Sequence, residues 1–161
     1  MSNNITKNNV SLNWQDVLWG YEHHFLEWQE VVNYANDKVT NESNYDESII
    51  ELSMINETTI FNIESLLKKI VKVDHCYSTE KWLYIILLDL FNKRKELDDP
   101  LGRVEEIYEN FDYPEEIESF VRYMPVSDDY DPSKHTNDEN INRLYSNWDN
   151  YLINKESTFT K

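Results

Sequence analysis

The side chains of this 161-residue chain that could do chemistry are chiefly carboxylates. Glu105 and Glu109 stand four residues apart, as do Glu106 and Asn110, so each pair shares one face of a helix. Paired carboxylates can move protons or bind a divalent cation. The opposite stripe, Val104, Ile107 and Tyr108, is apolar, so the preferred reading of these acids is a solvated outer face. His23 and His24 are neighbours, and neighbouring side chains on a helix diverge by about 100°. They cannot clasp one metal as an i, i+4 pair would, and read as surface or helix-end residues. Asp74, His75 and Cys76 offer three ligand types in a row, but three adjacent residues suit a tetrahedral site poorly, and the run reads as an interhelical turn. A thiol activated by His75 is the less favoured use of Cys76. No nucleophile elbow, phosphate-binding glycine loop or zinc signature occurs, so no catalytic residue, cofactor or metal is assigned.

The acids are unevenly placed. Between Glu96 and Asp131 the chain has thirteen acidic residues and two basic ones, Arg103 and Arg122, a net −11 out of −16 for the whole sequence. Interleaved with them are Tyr108, Phe111, Tyr113, Phe120, Tyr123 and Tyr130. Charge alone would suit a solvated tail; charge alternating with aromatics suits a folded acidic surface with anchors. Such a surface speeds encounter with basic partners and repels a phosphate backbone, which argues against direct nucleic-acid binding.

The elements that must position these residues are helical nearly throughout. Trp14, Val17, Leu18 and Tyr21 follow helical spacing behind Asn13 as N-cap, with Gly20 near the end of that helix. Trp19 lies off the stripe and reads as exposed, whereas Trp14, Trp28, Trp82 and Trp148 read as core. Trp28, Val31, Val32 and Ala35 repeat the pattern, polar residues 41–44 break it, and a short helix is expected over about 46–55. Thr58 or Thr59 can cap a helix carrying Ile63, Leu66, Leu67 and Ile70. Ser78 or Thr79 can cap the next, over about 80–95, which is apolar on most sides and belongs at the centre of a bundle. A buried strand over 83–88 is rejected because the apolar pattern runs on to Phe91 and ends in Lys93-Arg-Lys95. Asp99-Pro100 starts a further helix, and Tyr113-Pro114 another, with Ile117, Phe120, Val121 and Met124 inward and Pro125 as its stop. After an acidic loop over 126–136, Asn137 can cap a last helix whose inner face is Ile141, Leu144, Tyr145, Trp148 and Leu152. The expectation is an all-α array of about eight helices, with stacked helical hairpins as one arrangement, and no significant sheet. It spans 1–161 as one domain whose ends, 1–10 and 155–161, are frayed.

Two glycines among 161 residues suit helices better than a turn-rich sheet protein. One cysteine excludes an internal disulfide, the N-terminus Met1-Ser-Asn-Asn4 has no apolar signal region, and the apolar run Trp82–Leu88 is too short to cross a bilayer, so the working compartment is a reducing cytoplasm.

The blocks Asp16–Ala35 and Asp99–Pro125 resemble a family of small acidic bacterial proteins of unknown function, whose members are similar to the immunity proteins of polymorphic and contact-dependent toxin systems. The most distinctive elements are Phe111-Asp-Tyr-Pro114 and Val121-Arg-Tyr-Met-Pro125. The resemblance runs from about Asn13 to Pro125 and is weakest over 36–73. It implies a non-enzymatic inhibitor of a cognate toxin domain and carries over no site; the acidity of the chain adds the expectation of a nuclease, an RNase before a DNase, whose basic cleft the acidic surface would occupy. The partner-binding residues expected on that reading are Glu105, Glu109, Asp112, Tyr113, Glu115, Glu116, Glu118, Tyr123, Asp128, Asp129, Tyr130 and Asp131. Interfaces of this kind vary between members, so the family-like elements can be scaffold, with the loop Ser127–Asp131 the stronger interface candidate. The alternative is an acidic helical adaptor for an unrelated basic partner; a metal-dependent hydrolase using the clustered carboxylates is a third and weaker reading. The oligomeric state is left open.

Overall fold

A computed structural model describes residues 10–42, 46–71 and 78–159. The described residues are all-α: seven α-helices and four short 3₁₀ helices, with no strand. They fall into two compact units, one over 12–82 and one over 83–159 together with residues 10 and 11. No helix among them is long and apolar enough to cross a membrane.

In the first unit, α1 (Trp14–Glu22) opens with a capping box, in which Asn13 accepts from the Asp16 amide and Asp16 from the Asn13 amide, each at 2.9 Å. The helix closes on His24, which sits at φ 63 while the Phe25 amide reaches the Gly20 carbonyl at 2.7 Å and the His24 amide the Tyr21 carbonyl at 3.2 Å. This is a Schellman ending without the usual glycine. α2 (Trp28–Asn41), α3 (Glu47–Ser53) and α4 (Ile63–Ile70) follow, with α2 against α3, α3 against α4, and α4 back against α1. Val31, Ala35, Leu52, Ile63 and Leu67 are fully buried. Thr59 precedes a 3₁₀ turn, Ile60–Asn62, and makes no side-chain cap; Asn56 instead gathers Thr58 and Thr59.

Gly20 is in α1 for a packing reason. A Cβ there would stand 2.3 Å from Cζ2 of Trp82, whose buried indole nitrogen donates to the Asp16 carbonyl at 2.9 Å. Trp19 is half-buried in a stack with His23, Phe25 and Trp82, at centroid distances of 4.0, 5.7 and 6.4 Å. The exposure expected of it is therefore corrected: the stripe missed a ring held by residues outside the helix. Asp16 is 1% exposed and forms an ion pair with Lys81.

The helix α5 (Ser78–Lys93) is buried at Leu83, Tyr84, Ile85 and Leu87 within the second unit, and a 3₁₀ turn, Arg94–Glu96, ends it. α6 (Pro100–Asn110) buries Leu101, Val104 and Tyr108. The seventh of the expected helices, after Pro114, is a 3₁₀ helix over Glu115–Phe120 that ends before Val121, four residues short of Pro125. It places Ile117 and Phe120 in the core and packs against both α6 and α7. The last helix, α7 (Asn137–Phe159), starts one residue earlier than the sequence pattern suggests. Thr136, not Asn137, is the cap: its hydroxyl takes the Glu139 amide at 3.2 Å while Glu139 takes the Thr136 amide at 2.8 Å. The helix runs through 155–159, which were expected to fray, because Lys155 pairs with Glu116 at 2.8 Å and the Phe159 ring lies 5.4 Å from Tyr84. Trp148 is fully buried, parallel to Phe120 at 5.8 Å and edge-on to Phe91 at 5.1 Å.

Candidate functional site

The acidic stretch occupies the outer side of α6, the 3₁₀ helix and the loop over 121–136. Asp99 caps α6 by accepting the Gly102 amide at 3.1 Å, and Pro100 takes the first helical position, where no amide proton is needed. Seventeen and twenty-three residues away in sequence from its two partners, Arg122 donates to Glu105 from Nε at 2.7 Å and from Nη2 at 3.2 Å, and to Asp99 from Nη1 and Nη2 at 3.1 Å each. The Arg122 bond holds the Asp99 carboxyl below its ordinary value, assisted by the Gly102 amide. A Cβ on Gly102 would lie 2.3 Å from Asp99 Oδ2, so the second glycine, like the first, exists to let another group come close. An open groove of about 640 Å³ follows this edge, lined by Asp98, Asp99, Glu105, Glu106, Glu109 and Arg122 among others.

At its far end α6 closes on two consecutive residues in the left-handed region, Asp112 at φ 61 and Tyr113 at φ 57. The Tyr113 amide bonds the Tyr108 carbonyl at 2.9 Å and the Asp112 amide the Glu109 carbonyl at 3.2 Å, the two bonds of a Schellman motif. That ending folds the Tyr113 ring edge-on against Tyr108, at 5.2 Å and 81°. Tyr123 also meets Tyr108, tilted at 59° with centroids 6.1 Å apart. Tyr108 is 3% exposed and its hydroxyl donates to Glu118 at 2.8 Å; burial, reinforced by that carboxylate, pushes the phenol up to about 12. Tyr113 and Tyr123 remain 56% and 53% exposed.

The loop is tied down differently. Asp128 accepts from Arg143 at 2.7 Å and from the Tyr130 amide at 3.1 Å, and the Arg143 bond lowers its carboxyl. The Tyr130 ring lies between His135, stacked at 4.5 Å, and the Arg143 guanidinium at 4.2 Å, while its hydroxyl donates to Asn140 at 2.6 Å. Asp131 caps the 3₁₀ turn Pro132–Lys134 by accepting from Ser133, and those bonds lower its carboxyl.

The twelve residues singled out by sequence therefore divide by what they already hold. Glu105, Glu116, Glu118, Asp128, Tyr130 and Asp131 are engaged within the fold. Glu109, Asp112, Glu115 and Asp129 are exposed and have no cationic partner among the described residues, and Tyr113 and Tyr123 present their rings to solvent. Sequence reasoning passed over Arg122 as the residue that organises the edge, Asp99 as its partner and Tyr108 as the ring that meets both Tyr113 and Tyr123. Elsewhere, His23 donates from Nδ1 to the Trp19 carbonyl at 2.8 Å and His24 ends α1, both helix-end roles. Asp74, His75 and Cys76 lie outside the described residues, and no group of three or more metal-ligating side chains occurs among the described ones.

The profile of one protein family, described as an uncharacterized protein conserved in bacteria (DUF2247), matches residues 2–156, and the chain belongs to that family. No curated protein and no solved structure matches it.

Proposed function

We propose that this member of the DUF2247 family is a bacterial immunity protein: it binds a cognate toxin domain with a basic substrate cleft, a nuclease and an RNase before a DNase, and covers that cleft with the acidic edge of its second unit. The observation that carries the reading is the pairing of exposed Tyr113 and Tyr123 with carboxylates that have no internal cation among the described residues, Glu109, Asp112 and Glu115. A carboxylate already held by Arg122 or Arg143 has little left to offer a partner; a free one, beside an aromatic anchor, can replace a phosphate in a basic cleft. The net −16 of the chain adds long-range attraction to such a cleft and repulsion from its nucleic-acid substrate.

The test is protection. The C-terminal domain of the large protein encoded next to this one is expressed with and without the chain, and growth, co-purification and RNA and DNA integrity are recorded. Rescue with a stable complex, and RNA cleaved only in unprotected cells, is the expected result. Toxicity without rescue or complex would overturn it and leave a helical adaptor for another basic protein. Within a complex, neutralising Glu109, Glu115 and Asp129 together lowers affinity at least tenfold, about 1.4 kcal/mol, and flattens its salt dependence.

A further inference from the structure

We infer that the groove between α7 and the segment over 118–132 is a second docking site, which takes an uncharged peptide segment of the partner protein with one branched apolar side chain seated in it; this deepens the proposed partner-binding reading and rests on it.

The groove is held in shape by the fold itself. Asn140, Arg143 and Asn147 are spaced by three and four residues, so they share one face of α7. Each is bonded to the facing segment. Asn140 accepts from the Tyr130 hydroxyl at 2.6 Å and donates to the Pro132 carbonyl at 3.2 Å. Arg143 donates to Asp128 at 2.7 Å, and Asn147 to the Ser119 carbonyl at 2.8 Å. Among these ties a cavity of about 570 Å³ stays open, within the roughly 300–1,000 Å³ of ordinary ligand sites. Its apolar lining comes from both walls: Val121, Met124 and Val126 from the segment, Ile141 and Leu144 from the helix. Val121 is buried, Ile141 and Leu144 are half-buried, and Val126 is exposed at the rim.

Charge and hydrogen-bonding capacity say what fits. The lining holds two carboxylates, Glu118 and Asp128, and two guanidiniums, Arg122 and Arg143. Each of the four already has a partner within the fold. The groove is thus neutral in a chain at −16, unlike the acidic groove along α6, and the field of the whole chain repels an anion from it. An uncharged apolar group is left as the best occupant. Groups of the peptide-binding kind line the same groove with bonds still to make. Arg143 Nε and Nη1 and Asn147 Oδ1 have no partner among the described residues. Neither do the backbone amides and carbonyls of Val126 and Ser127. Donors and acceptors beside an apolar slot complement a peptide backbone, which carries one of each per residue.

The probe is N-acetyl-leucine N-methylamide, titrated into the full chain while the methyl signals of Met124, Val126 and Ile141 are followed by NMR. The controls are the alanine analogue, which lacks the apolar body, and N-acetyl-leucine, which carries a carboxylate. The expected result is saturable shifts of those methyls with a Kd of about 1 mM, usual for a ligand of this size. The alanine analogue binds about tenfold more weakly, and the carboxylate no better than the amide. Ile141→Ala and Val126→Ser each weaken probe binding about threefold or more. Unchanged tryptophan indole signals establish that each variant is folded. In the complex with the partner, the two substitutions together lower affinity at least about tenfold and leave its salt dependence as it was, because they remove apolar contact and no charge. No saturable shift, equal binding of the alanine analogue, tighter binding of the carboxylate, or an undiminished complex would overturn the docking site. Because the probe needs no toxin, a positive titration beside a failed protection assay keeps the groove as a peptide site and removes the immunity reading. A protective complex beside a negative titration does the reverse.

Discussion

Replacing Gly20 by alanine is the sharpest test of how the first unit is packed. In an unconstrained helix the change would stabilise by about 1 kcal/mol through helix propensity. Here the added methyl would lie 2.3 Å from Cζ2 and 2.8 Å from Cε2 of Trp82, where a comfortable carbon–carbon contact is roughly 3.5–4.0 Å. The indole must therefore retreat by about 1 Å or more. It has nowhere to go: it is fully buried, ring-stacked on Trp19 and Phe25, and bonded to the Asp16 carbonyl at 2.9 Å. Overpacking costs about 1–3 kcal/mol. If the ring moves far enough to lose its bond, a buried donor is left unpaired at about 1–3 kcal/mol more. Set against the propensity gain, the net loss is about 0–2 kcal/mol with the indole bond kept and about 1–5 kcal/mol with it lost, against a domain's usual stability of about 5–15 kcal/mol. Urea denaturation followed by tryptophan fluorescence measures it. The double variant with Trp82→Phe, which withdraws the outer ring of the indole, should recover more than about 1 kcal/mol relative to additivity. A more stable Gly20→Ala protein, or strictly additive single effects, would refute the reasoning.

Further outcomes follow from the same details. Asp112→Gly should raise stability by about 0.5–1 kcal/mol, or about 2–4 °C in Tm per kcal/mol for a chain of this size, because glycine adopts φ 61 without strain; a fall in Tm would show that the Asp112 side chain itself holds the turn. Gly102→Ala pushes against Asp99 Oδ2 and should loosen the Asp99–Arg122 pair, read as an upward shift of the Asp99 carboxyl in NMR titration. The carboxyls of Asp99, Asp128, Asp131 and Glu139 are all held below their ordinary values, 3.8 for Asp and 4.5 for Glu, chiefly by Arg122, Arg143, Ser133 and the Thr136 amide respectively. In the fold they bind fewer protons than in the unfolded chain, so the stability they confer is complete above those ordinary values and is lost as pH falls through the depressed ones. Tm should therefore drop steeply below about pH 4.5, and Arg122→Met should shrink the Asp99 share of that drop.

What sequence reasoning reached was local. Asn13 before Asp16 and Asp99 before Pro100 carry their capping chemistry within three or four residues, and both helices start where the spacing puts them. The failures come from distance. Nothing near Gly20 announces Trp82, sixty-two residues on, and nothing near Trp19 announces the rings that shelter it. The helix expected after Pro114 has the right apolar spacing, yet it is a 3₁₀ helix, with Ile117 and Phe120 both fully buried and Phe120 stacked on Trp148. At the candidate site, composition located the acids and the exposed tyrosines, but which acids are free depends on Arg122, Arg143 and Lys155 arriving from other elements.

The Arg122 pair also fixes how this protein should answer to ionic strength. Its ion pairs with Asp99 and Glu105 are partly exposed, and added salt weakens such pairs only modestly. The same salt screens the mutual repulsion of a chain at −16, a larger and opposite term. The free protein should accordingly gain stability as salt rises, while its affinity for the basic partner proposed above should decline. The two responses have opposite signs, so melting curves taken across a salt series will separate the charge that binds from the charge that folds.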